Sequence, residues 1–232
     1  MTDGQDEKLL FGASDRVELV ATIVMALAAI FTAWAAFQSA KWSGEQSIAF
    51  AQAGAARTES TRYDNRANAA RVVDVNSYTS WLNALAQEAA SGQVDLSQPY
   101  SPEPGLVSSF IYNRLRAEFR PAMDAWIALW NQDRDTAPGT PFELPEYTLA
   151  DSVRAEELLA EADGHAADAL TFNQNSDNYV LTAVAFSLVL FFGGVSSKLA
   201  SPRNRNILVV LAAVLFAGAV VAVFSLPIHA LP

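Results

Sequence analysis

Three stretches of this chain, residues 17–39, 179–199 and 206–228, are apolar almost from end to end. None carries a charge in its middle. Only Glu18 and Lys198 intrude, each near an end. A helix needs about 20 such residues to cross a hydrocarbon layer of roughly 30 Å. Inside that layer every backbone polar group has to be paired within the protein. The pattern therefore predicts an all-α integral membrane protein with three transmembrane helices. Pro202 after the second stretch and Pro227 inside the end of the third are helix-stopping residues at the expected places. The first stretch is long for a signal-peptide core, and the segment before it is acidic (Asp3, Asp6, Glu7, Asp15). It reads as an uncleaved anchor.

Basic residues give the direction. The connection between the second and third stretches holds Lys198, Arg203 and Arg205 and no acid. Such a loop stays in the cytoplasm. The expected order is a cytoplasmic tail at 1–16, a span at 17–39 and an extracytoplasmic domain at 40–178. A span at 179–199, a cytoplasmic loop at 200–205, a span at 206–228 and a short extracytoplasmic tail at 229–232 follow.

The domain between the first two spans is acidic, with 10 Lys and Arg against 20 Asp and Glu over residues 40–178. That surface repels nucleic acid and anionic head groups, which excludes nucleic acid as a partner. Solubility accounts for most of the charge. No proline occurs before Pro99, and residues 40–90 are rich in Ala, Gln, Glu, Arg, Asn and Ser. This predicts a helix that continues the first span for fifty-odd residues, roughly 75 Å. Gly44 and Gly54 are weak points in it.

Gly92 and the run 98–105 end that helix. Val107, Ile111, Leu115, Phe119, Met123, Trp126 and Trp130 then recur every three or four residues. They predict a second helix over 106–130, kinked or restarted at Pro121. A proline-rich loop at 133–147 leads to a third helix from about 149 into the second span. Its apolar stripe (Ala155, Leu158, Ala162, Ala166, Ala169, Phe172) is close to a heptad spacing. One outgoing and two returning helices make an antiparallel stalk, coiled-coil-like, with its tip at 92–105. Alanine faces bury little area, so self-association is expected. The pairs Ala29/Ala33, Ala213/Ala217 and Gly218/Ala222 allow close helix contact in lipid, and ordinary lipid-facing alanine explains them equally.

The candidate site lies where the first span leaves the membrane. Gln38, Lys41, Trp42, Glu45 and Gln46 mostly follow helical spacing, and Asp177 and Asn178 enter the second span at the same level. Tryptophan suits the membrane interface, and Lys41 and Asp177 are placed to pair. A belt of aromatic residues with helix pairing explains the set, and the sharper alternative is a vestibule that admits an ion or small solute. The elements TAWAAFQSAKWSGEQ (32–46) and DNYVLTAVAFSLVLFFGG (177–194) resemble a recurring pair in small bacterial membrane proteins of no known activity. The likeness covers the first span with its exit and the second with its entry, and not the domain between. It implies no function and adds weight only to treating the two elements as one unit. The expected location is the bacterial plasma (inner) membrane, multi-pass, with the N-terminus cytoplasmic and the C-terminus extracytoplasmic.

Other chemistry is thin. The absence of cysteine excludes disulfides, thiolate nucleophiles and cysteine-held metals. Glu157, Glu161, His165 and Asp168 form a stripe at metal-ligand spacing, which a solvated acidic face also produces. Asp133, Asp135, Glu143 and Glu146 crowd one loop without the order of an EF-hand. Nucleophile elbows, phosphate loops and zinc-protease signatures are missing, and no span has a central ionisable residue for coupling. The expectation is a non-enzymatic membrane-anchored scaffold, accessory subunit or sensor without cofactor or metal. It meets membrane lipid, further copies of itself and an extracytoplasmic protein partner. The alternative is an oligomeric cation channel or pore subunit lined by Thr22, Thr32 and Gln38; a closed ring with Thr32 and Gln38 facing its axis would favour it, and a monomer or dimer with both buried between helices would favour the scaffold.

Overall fold

The computed structural model describes residues 3–229, with side chains described from Glu18 onward. The last three residues of the expected tail 229–232, and the first two of the tail 1–16, lie outside the described residues. Five α-helices follow in order: α1 (Asp3–Ala90), α2 (Val107–Tyr112), α3 (Arg120–Gln132), α4 (Ala150–Ser196) and α5 (Pro202–Ser225), with a short 3-10 turn at Pro141–Glu143. No strand occurs among the described residues. Three of the helices are long and apolar enough to cross a membrane: α1, α4 and α5. Their apolar side chains stay largely uncovered, with Leu181 at 67% and Val221 at 72% exposure. Surface of that kind needs an apolar solvent.

The helix α1 starts at Asp3, ahead of the expected span, and passes through Gly44 and Gly54 without a break. Each glycine costs about 1 kcal/mol relative to alanine. The strong helix formers on both sides outweigh that. It ends where Gly92 takes φ 73°, a left-handed conformation that glycine enters without strain. The turn closes with Gln93 N–H donating to Glu88 O at 2.8 Å.

The chain divides into two compact units, residues 1–53 with 164–232, and residues 54–163. The division falls inside the segment expected to lie outside the membrane.

In the first unit α1, α4 and α5 share a core of Ala28, Ala35, Tyr179, Phe186, Val189, Ala212, Ala219 and Val223. Phe31 stacks on Phe186 with ring centroids 5.2 Å apart, and Phe216 meets Phe186 edge-on. The small residues that let the helices approach are Ala28, Ala35, Ala212 and Ala219, spaced by seven. Of the small-residue pairs expected to support self-association, Ala29, Ala33, Ala217, Gly218 and Ala222 are exposed within the single chain and Ala213 is half-buried. Among the described glycines, Gly193 has the tightest surroundings. A Cβ built there would sit 2.6 Å from Met25 Cγ.

In the second unit Tyr78, Trp81 and Leu85 of α1 pack with Tyr100, Leu115, Phe119, Met123, Trp126 and Ile127. Of the apolar repeat read from the sequence, Leu115, Phe119, Met123 and Trp126 lie in this core, Ile111 and Trp130 pack against it, and Val107 is exposed. The helical block expected over 106–130, with a kink or restart at Pro121, is two helices, with turns at 113–119 between them and the restart at Arg120. Pro121 lies in the first turn of α3, where its missing N–H costs nothing. The second unit also holds two buried carboxylates. Glu88 Oε1 accepts from Val107 N–H at 2.6 Å and Ser108 N–H at 3.0 Å, and its Oε2 from Ser108 Oγ. It thereby supplies the acceptors that the start of α2 lacks. Asp74 Oδ2 accepts from Arg116 at 3.0 Å and from Tyr147 OH at 3.1 Å, while its Oδ1 has no partner. Burial pushes the Asp74 carboxyl up, against the lowering effect of Arg116. Burial and the neighbouring Asp74 charge push the Tyr147 hydroxyl up to about 12.

Candidate membrane-exit site

Gln38, Trp42 and Glu45 follow i, i+4, i+7 spacing on α1, so they share one face. The helix α5 stops at Ser225, and Pro227 keeps the chain extended beyond it. The extended segment lies across that face of α1. Gln38 is fully buried. Its Nε2 donates to His229 O at 3.2 Å and its Oε1 accepts from His229 N–H at 2.9 Å. One side-chain amide thus satisfies both main-chain groups of one residue, in the manner of a strand pair. Trp42 Nε1 and Tyr179 OH both donate to Pro227 O, at 3.2 and 3.1 Å. The His229 ring meets Trp42 edge-on at 5.4 Å, with Phe172 5.6 Å from the same indole. His229 Nε2 lies 3.0 Å from Glu45 Oε1.

One turn away Ser176 Oγ donates to Ser39 O at 3.1 Å. Its single hydrogen is spent there, so the 3.0 Å contact between the two hydroxyls has Ser39 as donor. The result is a clasp that ties α1, α4 and the segment after α5 together through polar groups which lipid cannot satisfy.

Of the residues singled out by sequence, Gln38, Trp42 and Glu45 are brought together. The others are placed elsewhere. Lys41 lies over the Phe37 ring at 5.8 Å, and Asp177 accepts from Asn173 Nδ2 at 3.1 Å. Among the described residues the pair Lys41–Asp177 is not made, because each is engaged one turn back along its own helix. Asn178 Oδ1 accepts from Gln174, and Gln46 is half-buried outside the clasp. His229, Pro227 and Tyr179 are the partners that spacing on α1 does not reveal. The signal available for them was Pro227, which ends α5 in time to free the residues behind it.

The remaining candidates have local roles. Arg154 donates to Glu157 at 2.8 Å. Glu143 Oε1 accepts from Thr140 N–H and Oγ1, and Asp133 Oδ1 from Asp135 N–H. Thr22 and Thr32 donate to the carbonyls of Glu18 and Ala28 on their own helix. Among the described residues no group of three His, Asp or Glu is placed to hold a metal ion.

No protein-family model matches the chain, and no curated protein or solved structure matches it either.

Proposed function

We propose that this chain is a non-enzymatic, membrane-anchored interaction protein whose acidic helical unit faces a protein partner outside the cytoplasm. The observation that carries this reading over a pore is the state of Gln38. A pore-lining glutamine offers its amide to water and ions. Here the amide oxygen and the amide nitrogen are both engaged by the main chain of His229 within one copy.

The sidedness rests on Lys198, Arg203 and Arg205 between α4 and α5. Opposite directions of α1 and α4 are supported by their contacts, Met25 with Gly193 and Ser39 with Ser176. Phe119, Met123 and Trp126 are core, so the presented surface narrows to Val107 and Phe110, which are 60% and 56% exposed. The Arg114 guanidinium lies 3.5 Å from the Phe110 ring centroid, an aromatic–arginine pair of the kind that anchors interfaces. Self-association falls to the exposed alanines of α1 and α5.

Two measurements test the reading. Cation flux in proteoliposomes is expected at the empty-vesicle level for the native chain, and a flux that Gln38→Leu alters would support the pore instead. A photoreactive residue at position 110 is expected to yield a discrete adduct in intact cells. Its failure to crosslink under those conditions removes the docking surface.

A further inference from the structure

At the end of the first unit opposite the clasp, a cavity of about 110 Å³ opens between the start of the α1 span, the end of α4 and the start of α5. Its polar lining is Glu18, Thr22, Ser196, Ser197 and Arg205. The hydroxyls are not free donors. Thr22 Oγ1 donates to Glu18 O at 2.9 Å, Ser196 Oγ to Gly193 O at 2.6 Å and Ser197 Oγ to Gly194 O at 2.8 Å. Each hydroxyl has one hydrogen. All three therefore show the cavity only lone pairs, and Glu18 adds a carboxylate. The opposite character comes from Arg205, whose Nε is buried and has no acceptor. An unmet donor on a charged group is costly, and a guanidinium favours phosphate.

The lining thus asks for one ligand with an anionic oxygen at one end and several N–H donors at the other. The position adds to this. The cavity sits where three apolar helices end, which is the depth of lipid phosphates. We infer that it binds the head group of an amine-bearing phospholipid, with the phosphate on Arg205 and the ammonium against Glu18 and the three hydroxyl oxygens. A choline head group has no N–H to give to those acceptors, and a glycerol head group has no positive charge to answer Glu18. The inference rests on the membrane reading and is independent of which leaflet the site faces.

The test is native mass spectrometry of the full chain in detergent. It is offered ethanolamine-, choline- and glycerol-headed phospholipids with identical acyl chains, and separately soluble glycerophosphoethanolamine and inorganic phosphate. The ethanolamine lipid is expected to be retained about tenfold over the choline lipid, the size of one hydrogen bond to a charged group. Glu18→Gln should bring that preference to about threefold or less. Arg205→Gln should weaken all three lipids. Ser197→Ala, an exposed position, keeps the test valid if the charge variants lose monodispersity, and should lower the ethanolamine preference alone. Equal retention of the three head groups overturns the inference. So does displacement of the lipid by glycerophosphoethanolamine or phosphate at equal concentration, which would mark a site for a soluble anion. Extraction of the native chain from vesicles by alkaline carbonate would instead sink the membrane reading beneath it.

Discussion

Replacing Gln38 by leucine should release His229 without unfolding the helices around it. The native amide gives two hydrogen bonds to the His229 main chain, at 2.9 and 3.2 Å. Each is worth about 1 kcal/mol net, since water competes once the segment lifts away. Leucine nearly matches the volume and supplies neither. Trp42 and Tyr179 still hold Pro227 O, so the loss is confined to His229 and sums to about 2 kcal/mol. That corresponds to about a 30-fold rise in the opening equilibrium. Hydrogen–deuterium exchange at the His229 amide reads it directly, because that N–H is the one Gln38 accepts. Unchanged exchange at His229 in Gln38→Leu would refute the clasp.

Gly193→Leu should destabilise the first unit by about 1–3 kcal/mol through overpacking against Met25; thermal unfolding in detergent checks it, and Met25→Ala in the same chain should recover most of the loss. Glu88→Ala leaves the Val107 amide and the buried Ser108 amide without their acceptor and should cost about 2–4 kcal/mol, with Glu88→Gln losing less because an oxygen remains; denaturant titration followed by near-ultraviolet circular dichroism distinguishes them. Asp74 has its carboxyl raised by burial, so the folded state holds that proton more tightly than the unfolded one. Stability then falls as pH rises from the ordinary carboxylate range through the raised folded value. Asp74→Asn should remove that component, seen as a flatter difference curve of melting temperature against pH.

The three helices long and apolar enough to cross a membrane were legible because each is marked by an uncharged apolar run of about 20 residues. The aromatic core of the second unit was legible because its repeat survives as burial. The sequence marked a kink or restart at Pro121 but not the turns at 113–119 that precede it. The spacing of Leu115 and Phe119 continues through the turns at 113–119, so periodicity alone masks the break. At the clasp, local spacing marks Gln38, Trp42 and Glu45 as one face. It says nothing of what covers them, since His229 is 191 positions from Gln38. The buried jobs of Asp74 and Glu88 were hidden for the same reason. In an acidic chain, two carboxylates that meet distant N–H and O–H donors look like all the others.

The most direct test of sidedness uses the absence of cysteine. Single cysteines at Ser97 and at Ala200, both exposed positions, are treated with a membrane-impermeant maleimide in intact cells and again after permeabilisation. Ser97→Cys is expected to react in intact cells and Ala200→Cys only once the membrane is opened. The reverse pattern, or equal labelling of both in intact cells, would contradict that sidedness.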